Sequence, residues 1–367
     1  MKFVFSVFFI VFCCLLVGFP ASSLQVVNDK PKYGELTLEF EEETVIRESN
    51  DNEFYTFRYI WDLVVDSHGS IYLLDHDRVL KFDKSGRFLR TIGRKGQGPG
   101  EYMKPLKLFI DGQDNLYISD QGISLLKFDR KGNFKEIIKL KFSIPFMPIE
   151  ARNFYVSKDG RIVSFTRDYS EEGIIRKLVL VSQKGEIIKV LASFLEKHIK
   201  VGFKGGGVVV GGVTHPYLPS CYFCSLGDDK ICFGENMSYK ITIMDLEGNE
   251  LGVFYKNEEK EPISSREKKY ISQDGQVYFP PYRPFFKNIL SDEKNRLYIF
   301  RIKPILIKSK REEIDVFNAR GVYLYKLYSS YVPWVIKNGY VYTLVRNKDG
   351  LREVKRLKIK GYEDFKN

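Results

Sequence analysis

Two aspartates and two histidines have the clearest potential for chemistry. They are Asp75, His76, Asp120 and His215. Imidazole and carboxylate groups that converge on one point can bind a divalent metal ion. The sequence therefore keeps open a metal-dependent hydrolase or lyase. The alternative is a structural role, because Asp75 and Asp120 stand at equivalent positions of a repeated pattern. An aspartate at such a position often ties a turn by accepting backbone N–H groups.

The cysteines offer a second candidate site. Only Cys221, Cys224 and Cys232 follow residue 23. Cys221 and Cys224 fall within a predicted strand rather than at a helix start, where a thiolate would be stabilised, so the pattern does not favour a redox catalyst. A turn at 227–229 would set Cys224 opposite Cys232 on a hairpin. The sequence predicts either a cross-strand disulfide or two buried thiols there.

Other catalytic patterns are weak. The chain has no G-x-S-x-G segment, and the glycine cluster at 93–100 matches neither a dinucleotide-binding nor a phosphate-binding loop. Paired glycosidase carboxylates come from distant loops and leave no local motif. No cofactor is expected from these residues, with a divalent metal as the one alternative.

The elements that must position these residues are repeated strands. The stretch Asp66–Asp75 returns as Asp111–Asp120, and the stretch LKFDKSG at 80–86 returns as LKFDRKG at 126–132. Alternating apolar and polar residues between glycine and aspartate turns indicate antiparallel hairpins. A period of about 45 residues with several strands per unit is typical of a β-propeller blade.

Counting the repeats predicts an all-β, six-bladed β-propeller of four-stranded antiparallel blades over residues 24–367. The last unit lacks a fourth strand, and an orphan strand precedes the first blade. Pairing this N-terminal strand with the last unit would close the ring. Such pairing is favoured because it leaves no exposed, unpaired strand edge. The predicted blades are 58–92, 104–140, 150–191, 217–255, 284–328, and 331–359 completed by the N-terminal strand 35–47.

One stretch resembles a known family. Residues 93–102 have the sequence GRKGQGPGEY, and Pro105 and the strand ending at Asp120 follow them. This combination is similar to the six-bladed β-propeller family of exported bacterial proteins related to NHL repeats. The resemblance is sharp over 58–140. It implies the fold and export more than a function, because members of that family mostly lack a defined activity.

The first residues have the features of a targeting segment. Lys2 precedes an apolar run at 3–17, and Pro20 and the small residues 21–23 follow it. This order is typical of a signal peptide, predicted here as residues 1–23, and it implies export to the periplasm or the extracellular space. An uncleaved anchor is the alternative, although the run is shorter than the roughly 20 residues that a bilayer needs. No later segment is long and apolar enough to predict a membrane span.

Net charge and predicted export together restrict the classes of binding partner. The formal net charge is +11, which favours anionic partners in general. Because the protein is predicted to be exported, nucleic acid is not a favoured partner. The sequence therefore predicts a monomer that binds a protein, a peptide or an anionic polysaccharide.

Loop lengths point to one side of the disc. The turns between the first and second strands, and between the third and fourth strands, are short. The long segments all belong to the opposite side, which we call the loop face: 93–103, 167–174, 192–216, 256–283 and 303–311. Functional residues concentrate on loops that a rigid scaffold holds. This face is therefore the predicted binding surface.

The predicted binding residues are basic and aromatic. They are Arg94, Lys95, Tyr102, Tyr217, Tyr282, Arg283, Lys308 and Arg311. Aromatic rings flanked by cations suit a protein, a peptide or an anionic glycan. The alternative is that the rings pack the long loops onto the disc. The sequence favours an exported binding or scaffold protein, with a metal-dependent hydrolase or lyase as the second hypothesis.

Overall fold

The structure is a computed structural model. It describes residues 24–142, 154–197, 200–204, 207–211, 215–272, 277–307 and 311–367, with the backbone alone for the ranges within 200–211. The predicted signal peptide at 1–23 and the predicted binding residue Lys308 lie outside the described residues.

Six antiparallel sheets follow one another along the chain and form a six-bladed β-propeller, as predicted. We label the strands a to d from the axis of the ring outward. Blade 1 contains Ile60–Val65, Ile71–Asp75, Arg78–Phe82 and Phe88–Ile92. Blade 2 contains Pro105–Ile110, Leu116–Asp120, Ser124–Phe128 and Phe134–Lys139. Blade 3 contains Phe154–Val156, Ile162–Ser170, Gly173–Val181 and Ile187–Glu196.

The second half of the ring continues in the same order. Blade 4 contains Cys221–Leu226, Lys230–Glu235, Lys240–Asp245 and Glu250–Lys256. Blade 5 contains Phe286–Ser291, Leu297–Arg301, Glu312–Phe317 and Tyr323–Ser329. Blade 6 contains Val335–Lys337, Tyr340–Arg346 and Arg352–Ile359 as strands a to c.

The N-terminal chain supplies three more strands, one to each of blades 4, 5 and 6. Leu24–Asn28 pairs in parallel with strand d of blade 4, and Glu35–Thr37 pairs in parallel with strand d of blade 5. Phe40–Arg47 pairs antiparallel with strand c of blade 6 and completes it. The predicted closure is confirmed. The predicted closing strand at 35–47 was too long, because its first residues pair with the edge of blade 5.

Few elements interrupt the repeat. The prediction of a long loop at 167–174 is wrong. Strands b and c of blade 3 stay paired up to a short turn between Ser170 and Gly173. The crossing after blade 3 contains a hairpin of Lys200–Lys204 with Gly207–Gly211. The crossing after blade 4 contains a helix at Ser265–Ile271, and that after blade 1 pairs Arg94–Lys95 with Glu101–Tyr102.

A repeated hydrogen-bond pattern shapes the short turns between strands a and b. The carboxylate of Asp66 accepts the backbone N–H groups of His68 and Ser70 at 3.0 and 2.8 Å, and the hydroxyl of Tyr72 donates to it. Asp111 and Asp292 bind their own turns in the same way. This explains why the repeat conserves an aspartate before a glycine or asparagine turn.

Apolar side chains fill the spaces between neighbouring blades. Where blade 6 meets blade 1, the fully buried Ile46 of the closing strand packs in one cluster with Phe82, Tyr342 and Val354. The closing strand therefore contributes both ladder hydrogen bonds and core contacts to the junction.

We predict that Ile46→Ala lowers the free energy of unfolding by about 2–5 kcal/mol, because it removes buried methyl groups and leaves a cavity. Val27→Ala is the control, since Val27 lies on an added strand but is 61% exposed, and it should change stability by about 0.5 kcal/mol or less. Urea unfolding monitored by circular dichroism measures both. Equal losses would contradict the assignment of 40–47 as the closing strand.

Candidate functional site

Asp75 binds backbone rather than facing an open site. Its buried carboxylate accepts the backbone N–H groups of Arg58 and Tyr59, both at 2.8 Å. The guanidinium of Arg78 donates to the other oxygen at 2.9 and 2.8 Å. The carboxylate therefore ties the chain entering blade 1 to the end of strand b, which is the structural alternative raised by the sequence.

Asp120 has the same role in blade 2. It accepts the backbone N–H groups of Met103 and Lys104 at 3.0 and 2.6 Å. The neighbouring candidate His76 adopts a left-handed backbone conformation with φ of 57° and is exposed, with Nδ1 3.3 Å from a carboxylate oxygen of Asp77.

Both ring nitrogens of His215 are engaged. Nε2 lies 2.5 Å from the carbonyl oxygen of Tyr278, so it carries the proton, and Nδ1 accepts the backbone N–H of Tyr217 at 3.2 Å. Burial lowers the pKa of His215 despite the hydrogen bond to Tyr278. Across the described ranges, no three His, Cys, Asp or Glu side chains gather in a group that could hold a metal ion. The four candidate ligands are thus not brought together.

The predicted binding residues divide into exposed and buried ones. Arg94, Lys95, Tyr282 and Arg311 are exposed. Tyr102 is fully buried: its hydroxyl donates to the carbonyl of Ile92 at 3.0 Å and accepts the N–H of Val79. Burial raises the pKa of Tyr102 to about 12. This ring packs the first long crossing onto the disc.

Tyr217 and Arg283 are also buried, and both hold the helix of the crossing after blade 4. The hydroxyl of Tyr217 donates to Glu267 at 2.5 Å, and Arg283 pairs with the same carboxylate at 3.1 Å. Ser264 and Glu267 form a capping box at the start of the helix. Burial alone would raise the pKa of Glu267, but these hydrogen bonds and the arginine lower it to about 2.

The cysteine pair has the predicted register. Cys224 and Cys232 are directly opposite on the blade 4 hairpin, with their Sγ atoms 3.3 Å apart as free thiols. The hydrogen bond to Cys224 and burial both raise the pKa of Cys232, and burial raises that of Cys221. Neither thiol is activated as a nucleophile, because the thiolate is the reactive form. The disulfide stays a prediction.

We predict that Cys224 and Cys232 oxidise to a disulfide in protein recovered from an oxidising compartment, since opposed strand positions satisfy the reach of that bond. Thiol titration of the unfolded protein, with residues 1–23 removed, should then find a single free thiol, Cys221. A Cys224→Ser control should show two. Three free thiols in the unchanged protein would contradict the prediction.

A cleft of about 540 Å³ opens on the loop face between blades 4 and 5. Three segments form it: residues 29–35, the crossing 257–285, and the loop after strand b of blade 5. Its cationic lining residues are Lys30, Lys256, Arg283, Arg301, Lys303 and Lys326. Its anionic lining residues are Asp29, Glu35, Glu258, Glu259, Glu261 and Glu313. Among the described residues, the cleft therefore presents charges of both signs in equal number.

A buried carboxylate beneath the cleft organises part of this lining. Asp315, on strand c of blade 5, accepts the hydroxyls of Tyr239 and Tyr323 at 2.6 and 2.5 Å. Lys256 donates to it at 2.7 Å, and Arg301 lies 3.5 Å away. Two cations and two hydroxyls thus converge on one fully buried acid, which joins blade 5 to blade 4.

This cluster holds its charges rather than exchanging protons. Burial alone would raise the pKa of Asp315, but Lys256, Arg301 and the hydrogen bonds outweigh it and lower the pKa. Burial and the adjacent carboxylate raise the pKa of both Tyr239 and Tyr323. An ionised acid and two protonated phenols make a rigid electrostatic frame, and none of the three is suited to general acid–base work at neutral pH.

Several other charged side chains of the lining are also paired. Arg301 binds Glu258 through both of its terminal nitrogens, one of them at 2.6 Å. Glu313 lies between Lys303 and Lys326, at 3.2 and 3.3 Å. The positions of the charges are therefore set before any partner arrives.

Sequence reasoning missed Asp315 and Arg301, yet the repeat contains a signal for the second. Strand b ends in Asp75 in blade 1 and Asp120 in blade 2, and the register puts Arg301 at the same position in blade 5. A cation replaces the structural aspartate of the repeat. A functional site is expected at a position where one blade departs from the residue pattern of the others.

We predict that Asp315→Asn lowers the free energy of unfolding by about 3–5 kcal/mol, because it leaves buried cations without their acceptor. The control is Asp168→Asn, whose exposed pair with Lys177 should be worth about 1 kcal/mol or less. Urea unfolding measures both.

The Asp315→Asn variant should also differ from the unchanged protein in how its stability depends on pH. A lowered folded-state pKa means that the Asp315 carboxylate stabilises the fold above its usual pKa, and that this stabilisation is lost as the pH falls through the folded-state value. Asp315→Asn should therefore lose less stability than the unchanged protein on acidification. Identical acid dependence of the two proteins would argue against the network.

The fold and the cleft define a six-bladed propeller with a charged cleft on its loop face. Residues 48–302 match the family described as Domain of unknown function (DUF4934), and the chain belongs to that family. No curated protein matches it. Among the described residues, no helix has the length and apolar character needed to cross a bilayer.

Solved structures from Bacteroides are similar to this chain. A Bacteroides fragilis protein predicted to be exported is 14% identical with a TM-score of 0.54, and the match covers 92% of this chain and 99% of that one. A Bacteroides vulgatus member of the DUF4221 family is 12% identical with a TM-score of 0.48, covering 89% and 99%. At this identity, the first similarity supports the fold.

Proposed function

We propose that this chain is an exported, monomeric β-propeller that binds a protein or peptide partner in the cleft between blades 4 and 5. The observation that carries the proposal is the charged lining held in place by the buried Asp315. The signal-like residues 1–23 and the likeness to a protein predicted to be exported support export. The similarity of residues 93–102 to NHL-related propellers belongs to the same proposal.

A polypeptide suits this cleft better than a polyanion does. A chain of uniform negative charge would meet as many carboxylates as cations along the described part of the lining. A peptide segment with both acidic and basic side chains can satisfy each in turn. Preorganised charges give specificity, because a partner with the wrong arrangement leaves them unpaired on binding.

Three lining residues offer free contacts. Lys30 and Glu259 are exposed and form no ion pair within the described part of the chain, and Ile307 is 57% exposed. An exposed apolar side chain beside unpaired charges is a suitable anchor for a partner. Because these side chains support nothing else, changing them should alter binding and not folding.

The experiment is selection of displayed random linear peptides on the purified protein, followed by affinity measurement with the double variant Lys30→Glu, Ile307→Ser. We expect the enriched peptides to contain both charge signs and to bind the variant about tenfold or more weakly, as for truncated anchor residues.

The matched control is Lys84→Glu, Leu89→Ser, which makes the same chemical changes at exposed positions of blade 1. It should bind the peptides as the unchanged protein does. The proposal fails if no peptide is enriched, or if the enriched peptides bind the cleft variant and the control equally well.

A further inference from the structure

The two tryptophans pack at neighbouring junctions: Trp334 packs against the cluster between blades 6 and 1, and Trp61 packs against the cluster between blades 1 and 2. Trp61 is in strand a of blade 1, and Trp334 directly precedes strand a of blade 6. Tyr59 leans on Trp61, with ring centroids 4.3 Å apart and planes at 51°, and it is 48% exposed. Tyr59 is therefore exposed at the surface, and the two tryptophans are half-buried.

A β-bulge accounts for the exposure of Trp61. The ladder between strands a and b shifts register between Ile60 and Asp62, so Trp61 is the extra residue. Asp62 is buried and held by the Nζ of Lys107 at 2.8 Å and the N–H of Leu108 at 2.7 Å. A bulge re-aims a side chain, and here it leaves the indole half-buried while the next residue is fixed inside.

A pocket of about 260 Å³ lies beside these rings. Tyr59 and Trp334 form its aromatic walls, and its charged lining residues among those described are Arg346 and Arg352. Arg352 is occupied by Glu48 at 2.9 Å and by backbone carbonyls. Arg346 gives one N–H to the carbonyl of Gly350 at 2.9 Å and is otherwise exposed.

We infer that this pocket is a second binding site, for a hexuronate residue of an acidic oligosaccharide. The C–H face of a pyranose ring packs on the electron-rich faces of Tyr59 and Trp334, as aromatic side chains prefer positively polarised edges. The sugar carboxylate pairs with the guanidinium of Arg346, which is built for planar oxyanions.

Two features favour this ligand over an apolar one. The charged lining residues of the pocket that the structure describes are both cationic, in contrast to the balanced described lining of the cleft. The indole N–H of Trp334 and the hydroxyl of Tyr59, which both line the pocket, have no hydrogen-bond partner in the described part of the chain. Both groups remain as donors for sugar hydroxyls.

The test is a titration of the whole protein with oligogalacturonate, following tryptophan emission. Trp334 lines the pocket, and Trp61 contacts Tyr59, which also lines it, so the emission should respond when the pocket is filled. We expect a saturable change with oligogalacturonate and little with the methyl-esterified oligomer, which has the same ring and no charge. Calorimetry supplies a second measurement that does not depend on the fluorophores.

Variants locate the binding. Arg346→Gln and Trp334→Ala should each weaken binding by about tenfold or more in calorimetry, as for hot-spot residues. Arg320→Gln is the matched control, because Arg320 is exposed on the opposite face, in a turn between strands c and d. Circular dichroism and urea unfolding show whether each variant is folded.

The inference is overturned if oligogalacturonate gives no saturable signal by either method, if the esterified oligomer binds as tightly, or if Arg346→Gln binds as well as Arg320→Gln does. The cleft and this pocket share no lining residue. Failure here therefore leaves the peptide proposal standing, and failure of the peptide selection leaves this one standing.

Discussion

The antiparallel pairing of Phe40–Arg47 with Arg352–Ile359 is the constraint on which the rest of the structure depends. It joins residues that are far apart in sequence and converts an open row of blades into a ring. An open row would expose unpaired strand edges at both ends, which natural proteins avoid. Only in the closed ring does blade 6 pack against blade 1 and form the pocket that contains Trp334.

The cleft arises from a local departure from a repeated plan. In blades 1 and 2, strand b ends in an aspartate that binds the incoming backbone. Blade 5 has Arg301 instead, and its charge is balanced by Glu258 and Asp315. The scaffold therefore stays regular while single replacements at equivalent positions introduce new chemistry, which is how one fold can serve many functions.

The fold was largely predictable from sequence because its information is local. The clearest turns repeat an aspartate and a glycine next to an apolar strand, so the blade count followed from periodicity, and the closure followed from the two strand edges left without a partner. The site was not predictable, because Asp315 meets Lys256 and Tyr239 across a junction between blades. The spacing of these residues in the sequence does not indicate that they are in contact.

Composition was also a poor guide to exposure in the loops. Tyr102 and Tyr217 were predicted on the binding surface because rings in long loops resemble contact residues. Both hydroxyls instead form hydrogen bonds to buried groups, and the two rings pack the loops against the blades. In contrast, Tyr59 and Trp334 lie next to regular strands and are not fully buried.

The path of the N-terminal chain has a consequence for the order of folding. Residues 24–47 run around the outside of the ring and pair in turn with blades 4, 5 and 6. All three partner strands are synthesised after this segment. Blades 1 to 3 can form from neighbouring hairpins as they emerge, whereas blades 4, 5 and 6 gain their outermost strands only once the chain has reached Lys256, Ser329 and Ile359, respectively. The final step is a long-range one, and loop closure of that length makes it slow.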